Sequence, residues 1–91
     1  MAREQDIQRR ITKAIEKKGG WCCKTITCNK SGVPDILAVI DGIFYAIEVK
    51  TPTGRTSPIQ DYQIMKINEA GGKAFVARSV EDLLENLGKR L

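Results

Sequence analysis

Histidine is absent from the 91 residues. Without imidazole, Ser-His and Cys-His nucleophile pairs and His-ligated zinc are excluded. Any general acid or base must be a carboxylate, Lys, Tyr, Cys or a water held on a metal ion. Cysteine is scarce: Cys22, Cys23 and Cys28 are the full set. An odd number of thiols points to reduced cysteines in a cytosol-like compartment. Three thiolates would need an outside fourth ligand to hold zinc. Adjacent Cys22 and Cys23 would point to opposite faces of a strand, which is poor chelate geometry, so these cysteines read as structural or incidental. No apolar run approaches the roughly 18–20 residues of a membrane span, and no membrane partner is expected. The polar start, Met1-Ala2-Arg3-Glu4-Gln5-Asp6, has no apolar h-region, so a secretory signal is not expected. Repeats, low-complexity runs and linkers are also missing. A chain of this length builds one core, burying about 60–65% of its unfolded surface. One domain over residues 1–91 is expected.

What is present is charge. Lys and Arg number 15 against 11 Asp and Glu, a formal net charge of +4. That suits a partner bearing phosphates, although many soluble domains carry as much.

Periodicity gives the elements. Residues 3–18 read as a helix, with Ile7, Ile11, Ala14 and Ile15 on one stripe and Arg9, Arg10, Lys13 and Lys17 largely elsewhere. Gly19-Gly20 stops it. At about 100° per residue, Glu4 lies on the apolar stripe, Asp6 at its side and Glu16 opposite. Glu4 is therefore the acid aimed at whatever this helix packs on. Trp21–Thr27 has strand composition, and Asn29–Val33 is a polar loop. Ile36–Ile40 and Ile43–Lys50 flank Asp41-Gly42, a strong two-residue hairpin signal. Thr51–Thr56 is a loop, after which Ser57-Pro58 opens a second helix with Gln60 completing a capping box. Ile59, Tyr62, Ile64, Met65, Ile67 and Ala70 supply its apolar side, and Gly71-Gly72 closes it. Lys73–Ala77 is a short strand. Ser79 and Asp82 cap a last helix carrying Val80, Leu83, Leu84 and Leu87. The order is α-β-β-β-α-β-α. The middle strands are apolar on nearly every residue, so a small α/β domain with helices over both faces of the sheet is expected.

The hairpin carries a geometric consequence. If Asp41-Gly42 is a two-residue turn, Ile40 pairs with Ile43, and stepping back along both strands sets Asp35 opposite Glu48. Directly opposed residues share a face, with Cβ atoms about 4.5–5.5 Å apart. Lys50, two residues on from Glu48, projects on that face too. Opposed like charges destabilise a strand pair, so a positive group should sit between them. A divalent cation fits, because hard oxygen ligands at this separation suit Mg²⁺ or Mn²⁺. Such an ion lowers the pKa of its water and steadies phosphoryl charge, and Lys50 can add to that or orient the water. The plainer alternative is that Lys50 neutralises Glu48 while Asp35 caps the Gly32-Val33-Pro34 turn. Glu4 has two readings: a third carboxylate for the cluster, or an acid that merely complements the helix dipole. Gln60 also has two, since its amide either only closes the capping box or reaches the site. Lys24, Lys30, Ser31, Arg55 and Thr56 flank the same strand ends and are candidates for phosphate contact.

These residues have a family likeness. Gly32-Val33-Pro34-Asp35, the apolar strand, Asp41-Gly42 and Ile47-Glu48-Val49-Lys50 resemble the PD-(D/E)xK nuclease signature. Ser57-Pro58-Ile59-Gln60 and Gly71-Gly72-Lys73-Ala74-Phe75-Val76 resemble its VRR-NUC branch, the virus-type replication-repair nucleases. The likeness runs from about Glu4 to Asp82. The short P-D…E-x-K pattern arises often by chance; the ordered set is more specific. The resemblance implies a restriction-endonuclease-like α/β core, a mixed sheet flanked by helices, and Mg²⁺- or Mn²⁺-dependent cleavage of DNA phosphodiesters. By position it implies Asp35 and Glu48 as metal ligands, the Val49 backbone carbonyl as another, Lys50 as the catalytic lysine, Gln60 as the motif glutamine and Glu4 as the first-helix acid. Minimal members of this branch, from phages and bacteria, resemble Holliday-junction resolvases and act as homodimers on branched DNA. A stand-alone cytoplasmic enzyme of that kind is the expectation. Two other functions compete with it. One is a non-catalytic nucleic-acid-binding module using Arg3, Arg9, Arg10, Lys13, Lys17 and Lys18 of the first helix. The other is a restriction-type sequence-specific nuclease, against which counts the lack of an evident base-reading insert. Trp21, Phe44, Tyr45 and Tyr62 are candidates for a dimer surface or for the core.

Overall fold

The computed structural model describes residues 3–88. Seven elements follow the expected order: α1 (Glu4–Lys17), β1 (Trp21–Lys24), β2 (Ile36–Ile40), β3 (Ile43–Val49), α2 (Pro58–Glu69), β4 (Lys73–Ala77) and α3 (Val80–Gly88). The sheet runs β1-β2-β3-β4. Its first three strands are antiparallel, and β4 joins β3 in parallel after α2 crosses over. The sheet is therefore mixed.

Local chemistry sets the boundaries. Asp41 and Gly42 have φ of 52° and 79°, the positive values that a tight two-residue hairpin turn requires. The turn fixes the register, with Ile40 opposite Ile43 and Ile36 opposite Ile47. Helix α1 ends in a Schellman arrangement: the Gly20 amide donates to the Ile15 carbonyl at 3.0 Å and the Gly19 amide to the Glu16 carbonyl at 2.9 Å. Helix α2 begins with the full capping box. The Ser57 hydroxyl accepts from the Gln60 amide, and the Gln60 side chain accepts from the Ser57 amide.

One face of the sheet holds the core. Ile7, Ile11 and Ile15 of α1 and Leu83 and Leu87 of α3 pack with Ile36, Ala38, Ile40, Tyr45, Ile47, Val49 and Ala77. The other face is covered only in part. Helix α2 lies over β3 and β4, where Asn68 bonds the amide and carbonyl of Ala74 at 2.7 and 3.0 Å. No side chain of α2 is fully buried. Ile59 and Met65, expected on its apolar side, are exposed, and so is Leu84 of α3.

Helices flank both faces as expected, but the cover on the α2 face is incomplete at the hairpin end. Register aligns Trp21 with Val39 and Val39 with Phe44, and all three stay exposed, Trp21 at 60%. Helix α2 lies chiefly over β4 and leaves them largely uncovered; Phe44 meets only its C-terminal end, sharing an open pocket with Ile67, Ala70, Gly71 and Gly72. Tyr45, by contrast, is a core residue and not surface. The first strand is also shorter than its composition suggests. It ends at Lys24, although the Thr25 amide still donates to the Asp35 carbonyl at 2.7 Å. Beyond it, Ile26 is 81% exposed, so the Thr-Ile-Thr composition has no second strand face to fill.

The loop after β1 is held against α2 through Gly32. Its φ is 78°, and a Cβ placed there would lie 2.8 Å from the Ile59 carbonyl group. Gly32→Ala combines positive φ with a backbone clash, for an expected cost of about 1–3 kcal/mol. Urea denaturation of the variant against the parent checks this.

Candidate active site

The end of the hairpin away from the turn gathers the polar residues. Asp35 immediately precedes β2, Glu48 is the penultimate residue of β3, and Lys50 directly follows that strand. One step beyond the Ile36–Ile47 pair, the register brings Asp35 opposite Glu48, the arrangement inferred from the turn. The Asp35 carboxylate is fixed by the strand beside it: its Oδ2 accepts from the Val49 amide at 2.9 Å. Val49 itself is fully buried at the end of β3.

Glu48 is only 2% exposed. Its Oε2 accepts from the Gln60 amide nitrogen at 3.1 Å and pairs with the Lys50 ammonium at 3.6 Å. Its Oε1 is buried and has no hydrogen-bond partner. Burial first, then the charge of Asp35, pushes the Glu48 carboxyl up to about 7, with Lys50 partly opposing them. Glu4 pushes in the same direction, which places the first-helix acid within electrostatic reach of the site. Among the described residues, however, no group of three or more His, Cys, Asp or Glu side chains is close enough to hold a metal ion. The acidic centre is thus the Asp35–Glu48 pair, with Glu4 further off.

Both readings of Gln60 hold at once. Its Oε1 caps α2 by accepting from the Ser57 amide at 2.9 Å, while its Nε2 bonds Glu48. The capping box presents the amide to the acid. Likewise Lys50 does neutralise Glu48, but this pair is not an exposed one, since Lys50 is only 14% accessible and Glu48 less.

The candidate phosphate contacts occupy two loops beside the pair. Lys30 and Ser31 are exposed in the loop between β1 and β2, and the Ser31 carbonyl accepts from Gln63 of α2 at 3.1 Å. Arg55 is exposed and Thr56 half-buried in the loop between β3 and α2. Lys24 stands apart from them, exposed at the end of β1 beside α1.

Two residues escape the sequence reading. Arg78 follows β4 and donates from Nη1 to the carbonyls of Thr51 and Gly54 at 2.7 and 2.6 Å, tying down the loop that leads from Lys50 to Gln60. Thr25, opposite Asp35 by continuation of the β1–β2 register, has a buried hydroxyl with no partner. The Asp41-Gly42 turn sets only β2 against β3, so it does not locate Thr25 on the β1 side, and nothing local marks Arg78.

The donor set fits a hard divalent cation. Two carboxylates share a face, and one has a buried oxygen that no protein donor satisfies. A buried anionic oxygen without a partner is costly, and an oxygen-seeking cation removes that cost. Three free thiols lie elsewhere: Cys28 is exposed, Cys22 and Cys23 are half-buried, and the Cys22 thiol donates to the Thr12 carbonyl at 3.8 Å.

The family model of the VRR-NUC domain matches residues 2–81. The chain belongs to the VRR-NUC family, a family of nuclease domains. One solved structure described as a VRR_NUC domain is 27% identical and superposes with a TM-score of 0.78 over 89% of this chain and 91% of that one. A VRR_NUC domain protein is 17% identical, with a TM-score of 0.79 over 98% and 88%. Archaeoglobus fulgidus Hjc, a Holliday junction resolvase from an archaeal hyperthermophile, is 24% identical, with a TM-score of 0.63 over 80% of this chain and 65% of that one. The last two likenesses speak to the fold, which is restriction-endonuclease-like. No curated protein matches the chain.

The raised Glu48 pKa has a thermodynamic consequence. A carboxyl that holds its proton more tightly when folded stabilises the fold at low pH and loses that contribution as pH rises. In EDTA, the melting temperature contribution of Glu48 should fall between about pH 4.5 and about 7. Glu48→Gln, which keeps the shape without the charge, should flatten that slope. Calorimetric melts of both proteins across this range check it.

Proposed function

We propose that this VRR-NUC domain is a metal-dependent DNA endonuclease that hydrolyses phosphodiester bonds, with a preference for branched DNA. The observation that carries the reading is the unpartnered Glu48 oxygen beside Asp35, with the Lys50 ammonium on the same carboxylate. Asp35 and Glu48 would hold Mg²⁺ or Mn²⁺, with the Val49 carbonyl and Glu4, directly or through water, completing its surroundings. When bound, the ion supplies charge neutralisation at the phosphoryl oxygens and activation of the attacking water.

The remaining roles belong to the chain. The Val49 amide orients Asp35, and the Gln60 amide orients Glu48. Both acids are thus held by groups that are themselves part of a strand or a helix cap, the rigid support that precise ligand placement needs. Lys50 projects beside the carboxylates, where its ammonium can approach a scissile phosphate and stabilise developing negative charge. Lys30, Ser31, Arg55 and Thr56 flank the strand ends and supply phosphate contacts that fix register without reading sequence.

Size and symmetry support a branched substrate and a homodimer. One unit this small covers little duplex, and two sites related by a two-fold axis match two strands of a symmetric junction. The solved neighbour Hjc is a Holliday junction resolvase, which supports this substrate class. Residues 1–91 act as one nuclease domain in this reading, and its place is the cytoplasm. No helix among the described residues is long and apolar enough to cross a membrane.

A second reading rests on the exposed basic residues of α1, among them Arg9, Arg10, Lys13 and Lys17. A purely binding module would take up DNA without divalent ion and bind no Mn²⁺. Titration calorimetry with Mn²⁺ separates the two. The direct test is cleavage of synthetic four-way junctions, splayed arms and linear duplex with Mg²⁺ or Mn²⁺. Asp35→Ala and Lys50→Ala should each lower the rate by roughly 10²–10⁴-fold. Undiminished cleavage by either variant overturns the assignment.

A further inference from the structure

The turn after Lys50 is held by a residue from outside it. Thr51–Gly54 closes on itself, with the Gly54 amide donating to the Thr51 carbonyl at 3.1 Å. That carbonyl and the Gly54 carbonyl both accept from Arg78 Nη1, at 2.7 and 2.6 Å. Arg78 is itself fixed at both ends of its residue. It directly follows β4, one step past the Val49–Ala77 pair, where the Lys50 amide donates to the Ala77 carbonyl at 3.1 Å. Its own amide donates to the Asp82 carboxylate at 2.8 Å, and the Asp82 amide donates to the Ser79 hydroxyl at 3.1 Å, which ties Arg78 to the cap of α3. Hydrogen bonds from a planar guanidinium are directional and stronger than neutral ones, so this one side chain sets where the turn lies.

The turn lies along the Lys50 side chain. A Cβ built on Gly54 would sit 3.6 Å from Lys50 Cδ, so the Gly54 backbone runs beside the lysine stem. Lys50 is 14% accessible, and its ammonium stands 3.6 Å from the Glu48 carboxylate. That separation is an ion pair without a hydrogen bond and holds the ammonium only loosely. A lysine stem is flexible and its ammonium strongly hydrated, so an uncovered lysine extends into water. We propose that Arg78 is a positioning residue for the cleavage reaction. It pins the Thr51–Gly54 turn against the Lys50 stem and thereby keeps the ammonium over Glu48, acting through the loop and not by contact with the reacting groups. The inference rests on the nuclease reading and adds to it a residue thirty positions from the nearest acid of the pair.

The test pairs cleavage with a measurement that needs no activity. Arg78→Met should lower the single-turnover rate on a four-way junction at saturating Mn²⁺ by about 10–100-fold. Its affinities for Mn²⁺ and for the junction in EDTA should stay within about twofold of the parent's. Arg78→Lys should recover most of the rate, because an ammonium also donates to both carbonyls. In a Lys50→Ala background, Arg78→Met should change the residual rate by less than about twofold, since the two residues act as one unit. Limiting acetic anhydride followed by mass spectrometry reads the geometry directly. Arg78→Met should raise acetylation of Lys50 several-fold relative to Lys66, which is already 52% accessible. Arg78→Gln takes the place of the Met variant if that one does not fold. A parent-like rate, a Lys50-to-Lys66 ratio that does not move, or an equal further loss in the Lys50→Ala background overturns the inference. So does weakened junction binding with an unchanged rate at saturation, which would make Arg78 a phosphate contact. If the parent cleaves while any of these results appears, the nuclease reading stands and only the role of Arg78 falls. If the parent never cleaves with Mn²⁺, the nuclease reading falls, and the Lys50-to-Lys66 ratio alone decides whether Arg78 holds the lysine.

Discussion

The site depends on one uneven carboxylate. Glu48 sits at the end of an otherwise apolar strand with one oxygen held by Gln60 and Lys50 and the other held by nothing. A buried anion facing a second carboxylate is unfavourable, and the protein tolerates it only because an ammonium and an amide offset part of the cost. What is left over is a buried oxygen that no protein donor satisfies. The rest of the architecture can be read as support for that arrangement. The hairpin register brings the two acids together, the Val49 amide locks Asp35, and the cap of α2 aims Gln60.

Much of this is legible in the sequence, because it follows from short-range rules. Asp41-Gly42 permits one tight turn, and that turn alone decides that Asp35 meets Glu48. The capping box over Ser57–Gln60 marks the start of α2 to the residue. Capping and coordination of Glu48 looked like rival uses of Gln60 because sequence assigns a residue one role at a time. An amide has a donor end and an acceptor end, and the fold uses both.

What could not be read was long-range. Arg78 reaches two carbonyls more than twenty residues away, and no local pattern signals that. The apolar residues of α2 suggested a buried helix, yet Ile59, Tyr62 and Met65 face outward, because spacing shows that residues share a side without showing what covers it. The same limit left Tyr45 and Phe44 equivalent in the sequence. Alternation then sends Tyr45 into the core and Phe44 to the open face. The stretch after Lys24 has strand composition, but strand propensity reports a pleated surface to pack on, and beyond Thr25 there is none.

Helix α2 buries no side chain completely and is held instead by polar clamps: Asn68 on Ala74, Gln63 on Ser31, and Gln60 on Glu48. Lifting it would expose little apolar area, so its local opening is far less costly than unfolding the α1–α3 side of the sheet. The acids stay rooted in the hairpin while one of their two orienting groups, the Gln60 amide, rides on a helix with no fully buried side chain. The register on which the pair is built is therefore set by the hairpin and not by α2.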